Sequence, residues 1–116
     1  MNLIEKIVQD IESIDFAARL NVVSSSRSFF DSIVEEPEVI SLQQSMKESD
    51  EVCNIVLRRI ELLSKLEINQ LYENPNDIPL AVFLWLLLSV KSKYSSMAVS
   101  LVSKTPNCWY ARKLIN

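Results

Sequence analysis

Asp31, Glu35, Glu36 and Glu38 crowd around Pro37 and form the densest group of carboxylates in this 116-residue chain. Carboxylates can bind Mg²⁺, work as an acid and base, or meet a basic surface on another protein. No spacing here argues for catalysis. Acidic side chains beside a helix start also favour the helix dipole, so the structural alternative is a solvated turn. The functional expectation for these four residues is partner binding.

Arg59 is the other candidate. Ile55, Val56, Leu63 and Leu66 surround it at helical offsets, so its guanidinium should be partly buried and in need of a counter-charge. Buried charges are normally paired, and a long cationic stem can also reach past the core to the surface. An anion on a partner or a carboxylate within the chain would serve, and Arg59 joins the partner-binding set.

Trp109, Tyr110, Arg112 and Lys113 resemble a nucleic-acid contact in composition. Phosphate neutralisation dominates such affinity, however, and a chain of net charge −3 is poorly suited to it. Nucleic acid is not an expected partner; a packed Trp on a C-terminal helix, with cations that suit the helix end, is the expected arrangement.

Two absences narrow the chemistry. The chain has no glycine, so neither a P-loop nor a dinucleotide fingerprint can form. It also has no histidine, which removes the usual general base, the Ser-His and Cys-His pairings and the commonest zinc ligand. Cys53 and Cys108 lie far apart in sequence without a Cys-x-x-Cys unit, so no metal site is expected. No catalytic residue, cofactor or metal is predicted, and the chain reads as a non-enzyme.

All fifteen acidic residues fall within positions 1–77, which carry seven basic residues and a net −8. Positions 78–116 hold five basic residues and no acidic side chain, a net +5. A split of this kind can steer a charged partner or orient self-association. No secretory leader is expected from the opening Met1-Asn2-Leu3-Ile4-Glu5, and free thiols in the reducing cytoplasm are the expectation for both cysteines.

The elements that carry these groups read as helices throughout. Leu3, Ile4, Ile7, Val8, Ile11, Ile14 and Ala18 follow the i, i+3, i+4 rhythm, with Asn2 and Glu5 at capping-box spacing. A serine-rich joint at 24–28 precedes a short helix carrying Phe29, Phe30, Ile33 and Val34. Pro37 opens the next helix, whose apolar face is Val39, Ile40, Leu42 and Met46. Ser49 or Asp50 then caps a longer helix with Val52, Ile55, Val56, Ile60, Leu62, Leu63 and Leu66 on its stripe, running towards Leu71 and Tyr72. Asn74-Pro75-Asn76-Asp77 breaks the chain at the charge boundary.

The run from Ile78 to Leu88 is apolar all round apart from Pro79, the pattern of a buried central helix including Trp85, with Asp77 as its N-cap. At about 20 Å it is too short to span a bilayer. Met97, Ala98, Leu101 and Val102 mark another helix, and Trp109, Tyr110, Leu114 and Ile115 a last one after Pro106. Asparagines at 21, 69, 74 and 107 stand where glycine would ordinarily close a helix.

The prediction is a single all-α domain over residues 1–116, with six or seven short helices in a compact bundle or a short HEAT-like superhelix. For function, the expectation is a non-enzymatic cytoplasmic protein-binding module. It would be a small acidic inhibitor of the immunity or antitoxin kind, facing a basic effector. A helical-repeat scaffold or self-associating assembly subunit is the second reading, and a small enzyme using carboxylates the third.

Overall fold

Helix α1 (Leu3–Glu12) carries the first apolar stripe, and its buried side chains are Val8 and Ile11, one helical step apart. The computed structural model describes residues 3–14, 31–68, 77–90, 92–105 and 109–115; the side chains of 66–68, 77, 78, 109, 110 and 113 lie outside that description. Asn2, Asn21, the serine-rich joint at 24–28, Phe29, Phe30, Asn69, Leu71, Tyr72, residues 74–76, Pro106, Asn107 and Cys108 fall outside the described residues.

Residues 31–33 are helical and lead through a turn into α2 (Pro37–Glu48). Pro37 occupies the first turn of α2, where its missing N–H interrupts no bond, and Glu36 before it is extended at φ −61° and ψ 140°. Val39, Leu42 and Met46 are buried on α2. Ile40 is 45% exposed, which corrects its placement on the apolar face. It stands off the Val39–Leu42–Met46 ridge, because those three follow the i, i+3, i+7 spacing of one face while Ile40, one position after Val39, is turned about 100° from it.

Ser49 closes α2 in an extended conformation, and its carbonyl accepts the first bond of α3 (Asp50–Ile68) from the Cys53 N–H at 3.4 Å. The buried face of α3 is broad: Cys53, Val56, Leu57, Ile60, Leu63 and Ser64 all lie inside. Leu62 is 44% exposed, so its assignment to the stripe is corrected as well. The face turns towards Cys53, Leu57 and Ser64 because α3 packs against α2, α4 (Asp77–Ser89) and α5 (Ser95–Ser103) at once.

Helix α4 is the centre, and Leu80 to Leu84, Leu86 and Leu87 are all buried with at most 1% exposure. It packs on α3, on α5 and on α6 (Trp109–Ile115), so nearly every direction around its axis meets protein and an all-round apolar sequence is what the position demands. Trp85 is only partly buried, which corrects the expectation of a fully enclosed indole. Ala98 and Val102 bury α5, while Met97 is 52% exposed.

The remaining principal contacts run α1 with α2, α2 with α3, and α5 with both α3 and α6, so α1 has its principal contact with α2. The radius of gyration is 13.2 Å, against about 13.4 Å for a compact domain of this length. The architecture is accordingly a small bundle, not an extended superhelix. Among the described residues there is no strand, and no helix is long and apolar enough to cross a membrane.

Candidate functional site

The acidic turn is built by a buried anchor and a proline. Ile33 is fully buried and fixes the chain at its base, while the Glu35 N–H donates to the Ser32 carbonyl at 3.3 Å and the Glu36 N–H to the Ile33 carbonyl at 3.1 Å. These bonds end the preceding helical residues, and Pro37 starts α2 at once. Asp31 and Glu35 are exposed, and Glu36 and Glu38 are partly exposed. Glu38 lies in the first turn of α2, where the helix dipole favours a carboxylate.

Among the described residues, no ion pair or side-chain hydrogen bond engages Asp31, Glu35 or Glu38. Nor do three or more His, Cys, Asp or Glu converge as metal ligands among those residues. One turn further along, the Ile40 N–H donates to the Glu36 carbonyl at 3.0 Å, so the exposed Ile40 side chain stands directly beside the acidic turn. That apolar neighbour was hidden in the sequence, where Ile40 reads as core.

Arg59 takes a different course. Its Nε donates to Glu12 Oε2 at 2.6 Å and its Nη2 to Glu12 Oε1 at 2.5 Å, a two-pronged bridge between α3 and α1. The Arg59 side chain is 35% exposed and that of Glu12 17%. Arg59 therefore lies at the margin of the α3 buried face and not within it. Hydrogen bonding to Glu12 raises the Arg59 pKa, partial burial opposes this, and the carboxylate charge adds to the rise.

A depression of about 260 Å³ opens beside this pair, lined by Glu5, Val8, Gln9, Glu12, Ile55 and Arg59. Glu12 was not singled out from sequence. Its only local signal is its place at the edge of the α1 apolar stripe, next to Ile11 and one turn after Val8.

Leu3–Glu12 carries Glu5, Asp10 and Glu12 against Lys6, and α1 packs on α2, which begins at the acidic turn; Lys104 and Arg112 are exposed in the basic part of the chain. The two parts meet where Lys93 reaches Asp50 at 3.5 Å, with both side chains well exposed, and its ammonium lies 5.3 Å from the centre of the Tyr94 ring. Tyr94, and then Asp50, hold the Lys93 pKa above the ordinary lysine range.

On α6, Ala111 is buried and Arg112 exposed, while the side chains of Trp109, Tyr110 and Lys113 lie outside the described residues. A second depression, of about 380 Å³, lies between α3 and α5 and is lined by Glu61, Ser96, Met97, Ser100 and Leu101. No protein-family model matches the chain, and no curated protein or solved structure matches it.

Proposed function

We propose that this chain is a non-enzymatic protein-binding module whose acidic turn meets a basic surface on another protein, in the manner of a small cytoplasmic inhibitor of a basic effector. The observation that carries this reading is the juxtaposition of exposed Asp31 and Glu35, with Glu36 and Glu38, against the exposed side chain of Ile40. An apolar anchor ringed by charge is the arrangement that protein interfaces favour, since the anchor supplies buried area and the rim steers approach. In this reading Arg59 supports the fold through Glu12, and only its exposed portion is open to a partner.

The second reading is self-association, with acidic groups of residues 1–77 meeting basic groups of residues 78–116 in the next copy. The division of charge along the chain favours it, because a head-to-tail contact needs unlike faces.

Charge reversal separates the two. Asp31→Lys with Glu35→Lys is compared with wild type as bait in host extract, and association with the captured protein is timed at low and high salt. Exposed charges act within roughly 10 Å at 0.1 M salt, so the variant should associate more slowly at low salt and show a flatter salt dependence. An unchanged association rate at low salt removes the turn from the interface. Salt-dependent sedimentation of the wild type alone, abolished by the same substitutions, would favour self-association.

A further inference from the structure

The bridge between Glu12 and Arg59 joins residues 47 positions apart, at the edge of a depression between α1 and α3. Helix α1 makes its extended contact with α2, and no comparable helix-to-helix contact joins it to α3. Where α1 and α3 approach each other, the space beside the ion pair is the 260 Å³ depression, with Val8 and Ile55 on its walls. Two helices held by interdigitating apolar side chains leave no such gap. Here the guanidinium and carboxylate span it.

Helix α1 has ten residues, too few to persist as an isolated helix in water, so its order depends on docking. Among the described residues, docking draws on Val8 and Ile11, which are buried, on the partly buried Ile4 and Ile7, and on the two hydrogen bonds from Arg59. The α4 centre is enclosed by three neighbours and owes nothing to α1 through any principal contact.

We infer that the Glu12–Arg59 bridge is a latch that holds α1 on the α3 side of the bundle, so that α1 opens as a unit ahead of the core when the bridge is broken. Opening releases Val8 and Ile11 from the apolar cluster and exposes the apolar side of an acidic helix, which the closed form conceals. Local opening of this kind is expected where an element packs chiefly on one neighbour and not on the centre of the domain. The latch is distinct from the acidic turn and does not depend on the binding role proposed for it.

Hydrogen exchange of the full chain, resolved by element, tests the latch in wild type, Arg59→Met and Glu12→Gln. Met preserves the apolar stem while removing the fork, and Gln preserves the shape of Glu12 while removing its charge. A bridge whose side chains are 35% and 17% exposed lies between the weak surface pair and the fully buried one, so α1 amides should exchange on the order of tenfold faster in both variants, with α4 amides unchanged. Raising salt should loosen α1 in the wild type in the same direction.

Equal acceleration of α1 and α4 would mean that α1 opens only with the whole domain, and would overturn the latch. Unchanged α1 protection in both variants would overturn it too. Should either variant fail to fold, Arg59→Lys, which keeps the charge and loses the fork, together with the wild-type salt series decides the matter by the same comparison of α1 with α4.

Discussion

Among the described residues, Phe83 is the largest side chain fully withdrawn from solvent, at 0% exposure in the middle of α4, with Val82, Leu84, Leu86 and Leu87 equally enclosed around it. Replacing it with alanine removes the ring and leaves a cavity that three packed helices can close only in part. Losses of roughly 3–5 kcal/mol are typical of such a truncation. For 116 residues the unfolding entropy is about 0.24 kcal/mol/K at the midpoint, so a loss of about 4 kcal/mol lowers Tm by about 16 °C. Out of a total stability of roughly 5–15 kcal/mol, this leaves a marginal domain.

Trp85 provides the internal comparison. It lies two positions along the same helix but keeps part of its ring in water, so Trp85→Ala should lose less, roughly 2–3 kcal/mol. Urea titration followed by circular dichroism measures both, with the slope of the transition checked for constancy so that midpoint shifts report stability. A loss below about 1 kcal/mol for Phe83→Ala, or a larger loss for Trp85→Ala, would refute the placement of α4 and the direction of its faces.

Ser64 is buried on α3, and its Oγ lacks a hydrogen-bond partner among the described residues. Because a buried hydroxyl without a partner is unfavourable and alanine is the better helix former, Ser64→Ala should raise stability by about 1 kcal/mol; a decrease on thermal unfolding would show that the hydroxyl is engaged. Lys93→Ala should leave Tm unmoved within error, since the bridge to Asp50 is exposed at both ends, and a clear drop would mean that the α4–α5 connection relies on it.

The helices themselves were legible in the chain because their causes are local. The stripe of α1, the prolines at the starts of α2 and α4, and the all-round apolar run of α4 follow from periodicity and backbone chemistry within a few residues. The acidic turn was equally visible, since Asp31, Glu35, Glu36 and Glu38 need only Ile33 behind them and Pro37 between them to be presented outward.

Tertiary structure decided which way each face turns and which distant groups meet. Ile40 and Leu62 read as core but are exposed, while Cys53, Leu57 and Ser64 are enclosed, because α3 must satisfy three neighbours whose positions no local pattern encodes. Arg59 announced its need for a counter-charge, yet the choice of Glu12 depended on how α1 is laid across the bundle. Many carboxylates are available to an arginine in a sequence with fifteen of them, and only the folded backbone brings one within hydrogen-bonding distance.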